Sequence, residues 1–415
     1  MSQRPHPKLA SASMAACTAA FVGLIGCNSA QAQASPYSIG ISQTVSHETN
    51  LLRLREGQTL PSGSRESDTV SSTALVAGLD QRIGRQRLFG NGALRANRYA
   101  HNDALDSQVY GLDLGLDWET IWALSGKLNV GADRTQRTDL RGNNGQILAG
   151  GNLETSRTGG GLVRLGVAGP LGLEAGLAGS RVRYRNPAAA YADYDQRSGS
   201  LGARYQLGGA TSVALTARQT RFEYPNLLVG RSDPNDKRQR DEIEFSTEWQ
   251  ASGASRIEAS LSRGKTEHEQ LPARDFSSTT GAVSWNWQPG GRLKLITRLG
   301  RDSGQNSDVV TTTAFSQTTD SLSLNASYEL TGKTRLNAAV QGYRRSLVGN
   351  SVFISGIEGR DRGTTASLGL RWEALRSLTL GCQISRDERG RNSTPALNDA
   401  YSASVYSCFG QFLLQ

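Results

Sequence analysis

The chain has 415 residues, 37% of them hydrophobic, with 47 glycines, 11 prolines and only 2 methionines. After residue 30 it holds no run of about 18 apolar residues, so no downstream segment can cross a bilayer as a helix, and no proline-rich or charged linker divides it into domains. The formal charge of +9 is carried mainly by arginine, and no basic block is interleaved with aromatics as a nucleic-acid surface would require.

Residues 1–34 read as a secretory signal peptide: Arg4 and Lys8, an apolar run from Met14 to Ile25, then small residues to Ala34, with cleavage expected after Ala34 or Ala32. Leu24-Ile25-Gly26-Cys27 also resembles a lipobox, whose use would leave a lipidated Cys27. From Ser35 onward the chain reads as segments of 10 to 14 residues joined alternately by long polar loops and very short turns. Tyr37 to Thr44 opens the series, the loop His47 to Asp68 follows, Thr69 to Asp80 returns, and Arg87 to Ala100 goes out again after a turn at Gly84. The clearest strand is Gln108 to Trp118, where Tyr110, Leu112, Leu114, Leu116 and Trp118 alternate with Val109, Gly111, Asp113, Gly115 and Asp117.

The same period of two recurs at Val130 and Ala132, at Val163, Leu165 and Val167, and at Leu173, Ala175 and Leu177. It continues through Leu201 to Tyr205, Val213 to Ala217, Ile243 to Trp249, Ile257 to Leu261 and Val283 to Trp287. Leu293 to Leu299, Leu322 to Tyr328, Leu336 to Val340, Leu368 to Trp372, Leu378 to Ile384 and the closing strand Ala400 to Gln415 complete a count of 18 strands. Short turns are expected near Gly84 and at Leu124 to Gly126, Gly169 to Gly172, Gly208 to Ala210, Ser252-Gly253, Pro289 to Gly291, Thr331 to Lys333 and Ala374 to Ser377. All the long loops, among them Asn186 to Asp195 and Asp302 to Gln317, then fall on the opposite side. Loops sorted by parity predict an all-β fold: an up-and-down antiparallel transmembrane β-barrel over residues 35–415, with periplasmic turns and extracellular loops. Trp118, Trp249, Trp285, Trp287 and Trp372 end strands that enter short turns and Trp122 lies beside one, so all six map to one aromatic belt.

Inward parity places Arg95, Asp113, Asp117, Arg164, Arg204, Arg298, Arg335 and Arg371 in the lumen, with Asp133, Glu174 and Glu258. Such a wall suits a hydrated, anionic solute. Cys382 and Cys408 come to similar depth on one face of the last hairpin, which predicts a cross-strand disulfide; the alternative is two unpaired thiols facing lipid. No cofactor, metal site or enzyme is expected. His47, His101 and His268 lie in or beside long loops, with parity aiming the last two inward, and Asp233-Pro234-Asn235-Asp236 reads as a solvated loop tip. Gly159-Gly160-Gly161 is followed by no helix and reads as a bendable strand.

His47-Glu48-Thr49-Asn50-Leu51-Leu52-Arg53-Leu54 resembles the Asn-Leu-x-Arg-Leu signature of the EpsL-like, exosortase-associated β-barrel porins encoded in exopolysaccharide loci. The end of the chain, with Arg386 to Ser393 in the last loop and then Tyr401 to Leu414 carrying Cys408, is similar to the closing hairpin of that family. Glu48 and Thr49 stand where the family pattern would carry acidic residues together. The resemblance implies an outer-membrane barrel taking part in exopolysaccharide export, with lipid, lipopolysaccharide, the exopolysaccharide and periplasmic export proteins as partners. A general diffusion porin and a non-conducting structural barrel are the alternatives.

Overall fold

The computed structural model describes residues 35–121, 123–137, 148, 150, 153–166, 169–226, 236–269, 275–308, 313–350, 355–391 and 400–414. The expected signal peptide, the lipobox cysteine Cys27, Trp122, Val167, Asp233 and Asn235 lie outside them. In chain order the strands are β1 (Tyr37–Glu48), β2 (Asp68–Ile83), β3 (Gln86–Tyr99), β4 (Ser107–Glu119), β5 (Leu124–Gln136), β6 (Leu153–Leu165), β7 (Leu171–Tyr184), β8 (Tyr194–Leu207) and β9 (Thr211–Tyr224). Then come β10 (Asp236–Ser252), β11 (Ser255–His268), β12 (Phe276–Gly290), β13 (Leu293–Asp308), β14 (Thr313–Thr331), β15 (Thr334–Asn350), β16 (Ser355–Glu373), β17 (Leu378–Arg391) and β18 (Tyr401–Leu414). Each pairs antiparallel with the next, and β1 pairs with β18 from Ile39↔Leu414 to Glu48↔Val405, so the 18-stranded sheet closes on itself. Closure leaves no edge strand, and each strand is hydrogen-bonded to both neighbours, the condition for crossing hydrocarbon with strands; β12 and β13 part only beyond Gly281↔Arg301.

The two faces of this wall differ as lipid and water differ. Leu177 and Leu201 are 74% and 69% exposed, and Ile39, Leu94, Leu215, Ile243, Leu261, Leu299 and Leu370 share their outward parity. Apolar surface on that scale is stable only against acyl chains, so the protein is a barrel of the bacterial outer membrane. Trp118, Trp249, Trp285, Trp287 and Trp372 stand on the same outward face at the short-turn end, and the rings of Trp285 and Trp287 stack at 5.4 Å. The outward row begun at Ile39 passes Ala77, Gly92, Leu112 and Ala132, then reaches Arg157 and Arg181, so the lattice climbs from the lipid zone to a charged zone as it circles the barrel.

Several boundaries depart from the sequence reading for identifiable reasons. Gly126 is no turn residue: it lies within β5 opposite Trp118, whose ring occupies the space a side chain would take, and the connection runs through Ala123 at φ 58°. Similarly, β7 already begins at Leu171, and the left-handed residue of that turn is Gly166 at φ 94°. β1 continues to Glu48, and β17 to Arg391, where a loop was expected from Arg386. The polar stretch from Asp302 to Gln317 belongs mostly to β13 and β14, paired from Asp302↔Thr319 to Asp308↔Thr313. Above the membrane a strand needs no apolar face, so its ladder continues where the hydrophobic signal stops.

Candidate functional site

A barrel of this strand number encloses water unless its loops fill it. By register, all eight predicted lumen residues occupy inward rows. Arg164 and Arg204 both bind Glu174, with Nε 3.0 Å and 2.9 Å from Oε1. Asp117 faces Arg87 and Lys127, Arg335 binds Glu329 at 2.8 Å, and Arg371 faces Arg335 and Gly381. Arg95 lies between Ala74 and Val109, Arg298 between Ser284 and Ser323, and Asp113 between Asn91 and Gly131. These residues line the wall at scattered positions rather than converging on one centre, and carboxylates offset several of the arginines.

Convergence occurs instead at the extracellular mouth, around the connection after β1. This segment turns into the lumen and brings its own small core: Leu51, Leu52, Leu54 and Leu105 are buried together, with Leu60 and the inward-facing Tyr99 against them. Its ends are fixed to the barrel seam. Thr49 donates its N–H to the Ser404 carbonyl at 3.0 Å, the Ser404 N–H returns to Thr49 Oγ1 at 2.9 Å, and Asn50 Nδ2 reaches the Ser402 carbonyl at 3.2 Å. Asn50 also closes the turn on itself, donating to the Leu54 carbonyl and accepting from the Leu54 N–H, both at 2.8 Å. Asp68, wholly buried at its side chain, accepts from the backbone N–H groups of Thr69, His101 and Asn102 and from Asn102 Nδ2, tying this segment to the short 3-10 turn Asp103–Leu105.

The signature residues therefore divide into two roles: Asn50 and the leucines build the inserted turn, and Arg53 points from it into a polar cluster. Arg53, at φ 53°, donates to Glu48 and to the Asn50 carbonyl, lies 3.5 Å from Asp387 Oδ2 and rests 5.7 Å from the centre of the Tyr401 ring. Burial alone would lower its pKa, but Glu48, Tyr401 and Asp387 outweigh that and raise it, so the guanidinium stays charged. Asp387 also accepts from Tyr401 Oη at 2.9 Å and Thr365 Oγ1 at 3.0 Å. One strand further, Asp361 receives Arg345 Nε at 2.9 Å and Arg389 Nη2 at 3.0 Å, and the ring of Tyr343 covers Gly363 beside them.

A second aromatic and arginine group lies on the far side of the mouth. Glu154 accepts from Arg137 and from Tyr184 Oη, each at 2.8 Å; the rings of Tyr194 and Tyr224 lie 5.8 Å apart; and Arg238, held on Asp236, sits 4.5 Å above the Tyr224 ring. Burial raises the pKa of the Asp193 carboxyl in the neighbouring loop, against the Tyr184 N–H and Asn226 Nδ2 that donate to it. Neither group is visible in the sequence as a unit, because members such as Arg53, Asp387 and Tyr401 stand in separate local stretches. Tyr343, Arg345, Asp361, Asp387, Arg389 and Tyr401 come together only through cross-strand register.

His101 and His268 are each set against a carboxylate, Asp68 at 3.2 Å and Asp275 at 3.4 Å, while His47 faces outward and contacts Thr69 Oγ1 at 3.0 Å. Among the described residues no group of three or more His, Cys, Asp or Glu side chains could hold a metal ion. Cys382 and Cys408 are directly opposed on the lipid-facing side of the last hairpin and form a disulfide, with Cα atoms 4.0 Å apart.

No protein-family model and no curated protein matches the chain. Among solved structures it is similar to the outer membrane protein opdK of Pseudomonas aeruginosa, with a TM-score of 0.48 and 13% identity over 91% of this chain and 99% of that one. It is similar also to Pseudomonas aeruginosa OccK2 (OpdF) in complex with glucuronate, with a TM-score of 0.47 and 15% identity over 92% and 98%. The FrpB iron transporter of Neisseria meningitidis follows, with a TM-score of 0.42 and 9% identity over 91% and 82%. The likeness is one of barrel architecture alone.

Proposed function

We propose that this barrel is a non-enzymatic outer-membrane channel through which an exopolysaccharide passes, working with periplasmic export proteins. The observation that carries the reading is the mouth, where Tyr343 and Tyr401 are interleaved with Arg345, Asp361, Asp387 and Arg389 on inward rows. Tyrosine rings offer flat apolar faces to the C–H side of a sugar ring, and paired guanidinium and carboxylate groups supply directional hydrogen bonds to its hydroxyls and any acidic substituent. Inner charges already matched by partners favour sliding over tight capture, as a conduit for a repeating polymer needs. The resemblance of Asn50 to Leu54 to the EpsL-like signature supports the same assignment. Deleting the protein is expected to abolish secreted polysaccharide while the intracellular or periplasmic polymer persists, and restoring the wild-type chain is expected to recover secretion.

A second reading, a general diffusion porin for small hydrophilic solutes, draws on the balanced pairs Arg164–Glu174, Arg204–Glu174 and Arg335–Glu329, which leave a hydrated wall of low selectivity. It predicts steady conductance in planar bilayers with polysaccharide secretion unchanged on deletion.

A further inference from the structure

The outer wall carries an arrangement that neither reading of the lumen uses. Above the aliphatic belt, outward-facing arginines oppose one another directly across the ladder: Arg157↔Arg181, Arg197↔Arg221 and Arg344↔Arg362. Like charges facing across a strand pair are destabilising. Arg181 is relieved by Asp195 at 2.8 Å, but Arg197 and Arg221 have no ion-pair partner among the described residues. Directly below this second pair lies a hollow of about 980 Å³ in the lipid-facing wall. It exists because Gly161, Ala175, Gly199 and Ala217 place small residues on adjoining outward rows, between the flanks of Leu177, Leu201 and Ile243. Arg263 and Lys265 close its far rim.

A largely apolar trough, with Asp241 on its lining, lies beneath a guanidinium pair that has no ion-pair partner among the described residues; together they match a phosphorylated lipid whose phosphate lies at the head-group level. We infer that this face is a specific site for a phosphorylated, multiply acylated glycolipid of the outer leaflet. One phosphate bridges Arg197 and Arg221 by charge-assisted hydrogen bonds, and acyl chains fill the trough over Gly199 and Ala217.

The test uses the full-length barrel in detergent, mixed with bis-phosphorylated lipid A or with the same lipid after its phosphates are removed, and native mass spectrometry reads the bound lipid. Wild-type protein is expected to retain the phosphorylated form and release the phosphate-free form. The double substitution Arg197→Gln and Arg221→Gln is expected to lower retention about 100-fold, the loss of two charge-assisted contacts. Ala217→Trp, which fills the trough and leaves the charges, is expected to lower it as well. Equal retention of the two lipids by the wild type, or unchanged retention in both variants, overturns the inference. Heat-modifiable gel mobility confirms that each variant remains a closed barrel.

Discussion

The inserted turn after β1 can be released without touching the barrel wall. Leu51 and Leu52 are each 1% exposed, yet they hold only the turn, since both lie beyond the last ladder residue of β1, Glu48, and pair with no strand. Truncating a buried leucine to alanine costs about 2–5 kcal/mol. If 3 kcal/mol of that falls on docking, then at about 1.4 kcal/mol per factor of ten the docked-to-released ratio drops by about 100-fold. Leu52→Ala alone is therefore expected to bring the turn into measurable exchange, seen in planar bilayers as flicker between a low and a high conductance level. Leu51→Ala with Leu52→Ala should hold the high level; the two residues touch a common core, so their effects are not assumed to add. Arg53→Ala, which removes the contacts to Glu48 and Asp387, is expected to act in the same direction. Heat-modifiable mobility should stay that of wild type throughout. A double variant that remains a folded barrel and conducts with unchanged levels and dwell times would refute the idea that this turn narrows the lumen.

Three further expectations concern the wall itself. Reducing the bond between Cys382 and Cys408, which are 26 residues apart, or replacing Cys408→Ser, should lower the stability of the barrel by up to about 3.5 kcal/mol from chain entropy, read as a lower urea midpoint on gels; an unchanged midpoint would show that the ladder already confines this hairpin. Asp361→Asn leaves Arg345 and Arg389 without their shared counter-charge, so the reversal potential in a salt gradient should move toward anion selectivity, and no movement would place the cluster outside the ion path. Gly381→Val puts a branched side chain where the Phe409 ring lies 2.6 Å and the Leu370 carbonyl oxygen 2.9 Å from the position of a first carbon, at a cost of about 1–3 kcal/mol measurable by the same urea titration.

The membrane-embedded part of this chain was legible from one rule, the alternation of side chains about a pleat, because lipid imposes it row after row. Strand number, the parity of the loops and the inward rows of Arg95 through Arg371 all follow from it. Three things escaped. Gly126 reads locally as a turn glycine, and only the Trp118 ring across the ladder reveals it as a packing partner. The strand ends above the membrane are polar on both sides, so β13, β14 and β17 run past the point where periodicity ends. The mouth was hidden most completely, since Arg53 meets Asp387 and Tyr401 across more than three hundred residues of sequence. The local Asn50 to Leu54 pattern marked the segment but not where it goes.

The hydrogen bonds of Thr49 to Ser404 and of Asn50 to Ser402 join positions 355 and 352 residues apart. During biogenesis, then, the stopper is synthesised almost first and can be pinned to the seam only after the final strand has arrived. A barrel caught with its seam unzipped lacks the Thr49, Asn50 and Arg53 anchors, so the leucines are held only by Leu60, Tyr99 and Leu105 and open to solvent more readily. Completion of the wall and pinning of the stopper are thus one event, and a half-built intermediate is marked as unfinished by the same residues that later guard the finished product.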